Sequence, residues 1–120
     1  IRVSNQKKIK NALLVTGGPK RASKIKNKIY AEYINVSNNV ANVRKFGSAA
    51  LDMAYVACGR FDGYWERGLN SWDIAAGIVI VKESGGIICS LEKDMNPLLN
   101  GSILAASDKI YEEFSSLILT

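Results

Sequence analysis

The chain contains no histidine, and that one absence removes several chemistries at once. Ser-His-Asp hydrolysis, phosphotransfer through His and the usual zinc centres cannot be staged without it. Cysteine is nearly as scarce. Cys58 and Cys89 stand far apart with no CxxC pair, so thiolate zinc sites are excluded too and a reduced, cytoplasmic setting is the default. A cysteine phosphatase would need an Arg six positions after its nucleophile to cradle the phosphate, but those positions hold Tyr64 and Met95. Gly17-Gly18-Pro19-Lys20 lacks the closing Gly-Lys-Ser/Thr of a phosphate loop and reads as a turn. The longest apolar segment, Ile74 to Val81, is too short to cross a bilayer, and nothing signal-like is visible, so no membrane partner is expected.

Acidic residues are almost missing from the first third. Residues 1 to 45 hold eleven Lys and Arg against the single acid Glu32, whereas residues 46 to 120 hold five against ten, within a net charge of +5. A basic stretch is either a solvated face or a surface for nucleic acid or an acidic partner. Lys20, Arg21, Lys24, Lys26 and Lys28 cluster at the start of an expected helix, without the interleaved aromatics of a single-strand binding groove.

With 120 residues, 48% of them hydrophobic, the chain has enough apolar material for a core. Ala12 to Thr16 reads as a buried strand ending at Gly17-Gly18-Pro19, and Arg21 to Ile34 as a helix. Val43 to Phe46 reads as a strand, and Ser48 to Gly59 as a helix with Leu51, Ala54, Tyr55 and Cys58 on one face. Phe61 to Glu66 alternates as a strand. A helix over 72–84 follows, then strand 87–89, a loop containing Pro97, strand 103–105 and a closing helix from Asp108. This alternation predicts α/β layers in one structural unit over residues 1–120.

The most informative stretch runs from Trp65-Glu66-Arg67-Gly68 through Ser71-Trp72-Asp73-Ile74-Ala75-Ala76-Gly77 to Glu83-Ser84-Gly85-Gly86. Ser71 is a natural N-cap, which sets Asp73 in the first turn of a helix so apolar that it should lie inside a domain. By position alone, Asp73 is a first-turn carboxylate complementing the helix dipole, and Glu66 is a loop acid. Gly47-Ser48-Ala49 opens a helix whose free N–H groups can bind oxygens or simply be capped. Asp52, inside a helix, and Asp62, in a strand beside Gly63, read as structural.

Trp-Asp-x-Ala-Ala-Gly followed by Glu-x-Gly-Gly resembles the second signature of the inositol monophosphatase family of magnesium-dependent phosphatases. The preceding block, from Arg44-Lys45-Phe46-Gly47-Ser48-Ala49-Ala50-Leu51-Asp52 to Asp62-Gly63-Tyr64, resembles the segment before that signature in the bacterial SuhB-type branch. The likeness extends from Arg2 to Ala106.

The resemblance implies the C-terminal half of a layered αβαβα sandwich. It implies Asp73 as a magnesium ligand, Glu66 as a contact to the inositol ring, and Arg44, Gly47, Ser48 and Ala49 at substrate positions. It further implies hydrolysis of a phosphate monoester such as inositol monophosphate by metal-activated water, lithium inhibition and a homodimer. The alternative from the SuhB-type likeness is a binding protein that partners RNA polymerase and the ribosomal-RNA machinery. The family's other metal signature, Asp-Pro-x-Asp-Gly-Thr/Ser, is not in these residues, and the chain opens on Ile1 rather than Met. The expectation is therefore that the N-terminal metal-binding half is absent and that this half alone is inactive.

Overall fold

The structure is a computed structural model that describes residues 1–17, 26–92 and 95–119. After a single 3-10 turn at Ile9–Asn11, strand β1 (Leu13–Thr16) leads to helix α1 (Lys26–Ser37), then β2 (Asn42–Arg44), α2 (Ala49–Ala57) and β3 (Gly63–Glu66). The second part comprises α3 (Ser71–Glu83), β4 (Ile87–Cys89), the short α4 (Pro97–Asn100), β5 (Ile103–Ala106) and α5 (Tyr111–Leu119). The expected α/β alternation holds throughout. The strands form one sheet in the order β2-β1-β3-β5-β4. β1 lies parallel to both β2 and β3, while β5 runs antiparallel to β3 and β4.

The connections fix the layers. From β1 the chain crosses through α1 to β2 on one side, and from β2 it returns through α2 to β3 on the other side of β1. Two crossovers of one hand in opposite directions put their helices on opposite faces of the sheet. α1 packs with α5 on one face and α2 packs with α3 on the other. Each face has its own core: Val15, Met53, Tyr64, Ile74 and Ile103 under α2 and α3, and Leu14, Val36, Trp65, Leu104 and Phe114 under α1 and α5. Trp65 and Phe114 meet edge to face at 5.8 Å between ring centres.

Four expectations need correction. The apolar helix α3 is buried along one side only, by Ile74, Gly77, Ile78 and Val81, while Trp72, Val79 and Ile80 are exposed. Uniform apolarity says that a helix can be covered all round, and among the described residues only the side facing the sheet and α2 is covered. Its N-cap is Asn70 rather than Ser71. On α2 the buried side carries Asp52, Met53, Val56 and Ala57, and Leu51 and Cys58 are exposed. An aspartate on the inward side disguises that face in the sequence. The segment read as a loop around Pro97 contains α4, with Pro97 in its first turn and Asn96 capping Leu98 N. The expected helix start at Arg21, with Lys20 and Lys24, lies outside the described residues.

Asp62 is structural, as expected. Its Oδ2 accepts the N–H of Leu13 at 2.7 Å and its Oδ1 accepts the Ser4 hydroxyl at 2.5 Å. Its own N–H donates to Leu13 O at 2.8 Å and its carbonyl accepts from Ser107 N at 2.9 Å. One residue thus ties the N-terminal segment, β1, β3 and the end of β5 together. Truncating it orphans a backbone donor at the start of β1 and removes two charge-assisted bonds. Asp62→Ala is expected to lower stability by about 3 kcal/mol, read as a drop in the urea midpoint with an unchanged slope.

Candidate functional site

In an open α/β sheet, ligands gather outside the carboxyl ends of the strands where successive connections diverge. Here that point lies at β1, whose neighbours β2 and β3 are reached in opposite directions. A cleft of about 430 Å³ opens there, lined by Gly17 after β1, Glu66 at the end of β3, Gly47 to Ala50 at the start of α2, and Leu69 and Asp73 at the start of α3. The fold therefore brings together Gly47, Ser48, Ala49, Glu66 and Asp73. Arg44 is the one expected site residue set apart: it ends the edge strand β2, pairs in register with Val15, and is exposed outside the cleft lining.

Two helix N-termini face this space. Gly47 takes φ +81, a left-handed conformation that suits glycine, and turns the chain into the N-cap Ser48, whose hydroxyl accepts from Leu51 N at 3.3 Å. The first-turn amides of Ala49 and Ala50 precede the intrahelical ladder and are free to meet an anion or a hydroxyl oxygen. Asp73 occupies the first turn of α3; its carboxylate is exposed and has no hydrogen bond or ion pair among the described residues. The loop that delivers it is held by Leu69 N donating to Gly101 O at 2.9 Å.

Glu66 is buried and held in place. Tyr64, two residues earlier on the same side of β3, is itself fully buried and donates its hydroxyl to Glu66 Oε1 at 2.6 Å. Burial, the Glu66 charge and this hydrogen bond, with lesser contributions from Asp52 and Asp73, raise the Tyr64 phenol far above the ordinary tyrosine value, so it stays a donor. Thr16 Oγ1 donates to Trp65 O at 2.8 Å and locks the ends of β1 and β3 together beneath the cleft. Gly17 has to be glycine for this approach: a Cβ there would lie 2.1 Å from the Glu66 carboxyl carbon.

The next residue anchors the opposite face of the sheet. Arg67 is buried and pairs at 2.5 Å with Glu32 of α1 and at 2.5 Å with Glu92. Asp52 lies behind the cleft on α2. It is fully buried, and burial first, then the nearby Glu66 charge, raises its pKa from 3.8 to about 6. Of these neighbours of the site, Tyr64 was accessible to sequence reasoning through the period-2 alternation with Glu66. Gly17 read only as part of a turn. Nothing in the pattern around Asp52 signalled burial.

As a cation site the cleft is partial. A hard divalent ion such as magnesium takes one or two carboxylates together with phosphate and water oxygens, and Asp73 is a donor of that chemistry. Among the described residues no group of three or more His, Cys, Asp or Glu gathers around it. The residues fit one corner of such a site, with further protein oxygens to be supplied from elsewhere.

Comparison with known proteins agrees with this fold. The model of the inositol monophosphatase family matches residues 1–119. The inositol-1-monophosphatase of a Synechocystis species is 45% identical over 98% of the chain, and the Nus factor SuhB of Pasteurella multocida is 39% identical over 98%. The crystal structure of the extragenic suppressor protein SuhB from Bartonella henselae superposes with a TM-score of 0.90 at 36% identity, over 98% of this chain and 45% of that one. The chain spans 41% and 44% of the lengths of the two sequence relatives. No helix among the described residues is long and apolar enough to cross a membrane.

The contact between Gly17 and Glu66 can be checked by a double-mutant cycle. Gly17→Ala is expected to lower stability by about 1–3 kcal/mol through overpacking. In a Glu66→Ala background most of that loss should vanish, because the obstructing carboxyl is gone, giving a coupling of about 1 kcal/mol or more in urea unfolding. Additive losses would place the Gly17 strain elsewhere.

Proposed function

The chain is a member of the inositol monophosphatase family, and on that premise we propose that the full-length protein hydrolyses a phosphate monoester of a polyol, inositol monophosphate or a close analogue, with magnesium bound at Asp73. The observation that carries this reading is the cleft itself, in which two helix N-termini, an unpartnered Asp73 carboxylate and a fixed Glu66 carboxylate converge at the switch point of the sheet.

Each group has a task suited to its chemistry. Asp73 holds the cation, which when bound supplies Lewis acidity toward phosphoryl oxygens and lowers the pKa of a bound water. Glu66, oriented by Tyr64, accepts hydrogen bonds from ring hydroxyls and orients the polyol. The Gly47, Ser48 and Ala49 turn offers amide donors to substrate oxygens. Arg44, outside the cleft lining, reaches the substrate only through its long side chain. The remaining ligands come from the part of the protein beyond this chain, and the chain by itself is inactive. Lithium inhibition, a homodimer and a cytoplasmic setting belong to the same reading.

A second reading has its own support. Three of the relatives at 38–39% identity carry the name Nus factor SuhB, and the basic first third presents exposed Lys26 and Lys28 on α1. Lys26 lies 5.8 Å from the Tyr30 ring centre and Lys45 lies 5.0 Å from that of Tyr33. In this reading the surface docks a partner of the transcription machinery beside any catalysis.

The phosphatase reading is tested by magnesium-dependent phosphate release from inositol 1-phosphate. Asp73→Asn in the full-length protein is expected to lose at least about 100-fold in rate, equivalent to about 2.7 kcal/mol, and the 120-residue chain to be silent. Full activity in either would overturn the assignment of Asp73. For the second reading, charge reversal at Lys24, Lys26 and Lys28 is expected to abolish salt-dependent binding to the transcription complex while phosphate release continues. Unchanged binding would remove it.

A further inference from the structure

Asp52 is the group the site does not account for. Its side chain is fully buried, and among the described residues neither carboxyl oxygen has a hydrogen-bond partner. A carboxyl can accept about four hydrogen bonds, and a buried polar group without partners carries a desolvation cost that a structural role does not require. Groups kept at such a cost beside a cleft are candidates for a working role.

Its surroundings narrow that role. Asp52 lies in the first turn of α2, directly after the Ser48 to Ala50 turn that lines the cleft. Of the elements packed against α2, β3 brings Glu66 and Tyr64 toward it, α3 brings Asp73 to the same cleft, and β5 brings no titratable residue. The single hydroxyl in this group is taken: Tyr64 donates it to Glu66. Asp52 is left without a donor, and a buried carboxyl with no donor holds its proton more tightly than an exposed one.

We propose that Asp52 is a positioning residue for Glu66: buried behind the carboxylate that Tyr64 fixes, it strengthens Glu66 as the acceptor for polyol hydroxyls when it carries its own charge. This rests on the polyol reading of the cleft given above. With Asp52 neutral, one negative charge faces the ring hydroxyls. With Asp52 ionised, a second charge stands behind the first in surroundings that screen it weakly. The transition falls near pH 6, where Asp52 titrates.

The experiment uses myo-inositol, a neutral ligand that does not itself titrate in this range, bound to the full-length protein at saturating magnesium between pH 5 and 8. The affinity of the wild type is expected to rise about fivefold across a midpoint near 6, a change of about 1 kcal/mol. That midpoint should coincide with the titration of one aspartate carboxyl followed by carbon-13 NMR. Asp52→Asn should abolish both the NMR titration and the pH dependence, and Asp52→Glu should restore them. A buried carboxyl with a purely structural role would leave inositol affinity flat with pH.

A flat wild-type profile, a midpoint that differs from the NMR titration, or a slope that persists in Asp52→Asn overturns the proposal. The wild-type comparison decides even if the variants do not fold. Absence of inositol binding at every pH overturns the polyol reading itself, and this inference with it.

Discussion

A hydroxyl 2.6 Å from a carboxylate oxygen sets the geometry of the cleft. Tyr64 and Glu66 lie two residues apart on β3, so strand periodicity alone points them the same way, and the phenol, raised well above its ordinary pKa, stays a donor. The other contacts accommodate this pair. Gly17, with no side chain, lets the carboxylate lie against the end of β1, Thr16 fastens the two strand ends, and Asp52 accepts burial without partners behind it. Had Glu66 been loose, the helix N-termini would still face the cleft, but nothing would fix an acceptor opposite them.

Trp65 of β3 and Arg67 just beyond it organise the other face of the sheet. Trp65 packs under α1 and α5, and Arg67 reaches Glu32 of α1 and Glu92. A buried ion pair of this kind is weak evidence for net stability, because desolvation offsets much of its attraction, yet losing one partner leaves an expensive orphan charge. It ties α1 to the end of β3 through Glu32, and the loop from Gly68 to Asn70 then leads to Asp73 in the cleft. Alternation along one strand thus couples the anchoring of the outer helix layer to the placement of both cleft carboxylates.

Much of this was legible in the residues. Strand and helix alternation, the capped turn at Ser48 and the first-turn placement of Asp73 all follow from local rules of capping and periodicity, which act over a few residues. What escaped depends on contacts distant in sequence. Whether the outer side of α3 is covered is decided by neighbours and not by its composition, so Trp72 is exposed despite sitting in an apolar helix. Arg44 lies close in sequence to Gly47 but ends an edge strand outside the cleft lining, because chain neighbours on either side of a turn need not share a site. Gly17 and Asp52 matter only through Glu66, 49 and 14 positions away, and no short-range pattern encodes that.

Asp52 also shows how stability and site chemistry trade against each other. Moving its pKa from 3.8 to about 6 means that the folded state holds the proton more tightly than the unfolded chain does. The sign follows directly: the favourable contribution is fully present below the unfolded value and is lost as pH rises through about 6, so above that the ionised form costs the fold on the order of 2–3 kcal/mol. That is a large share of the stability of a typical domain. Met53 and Val56 on the same face of α2 show that the position could accept an apolar residue without disturbing the packing pattern. A carboxyl kept there, within the field of Glu66 and without a partner, is therefore better explained by the chemistry of the cleft than by the folding of the core.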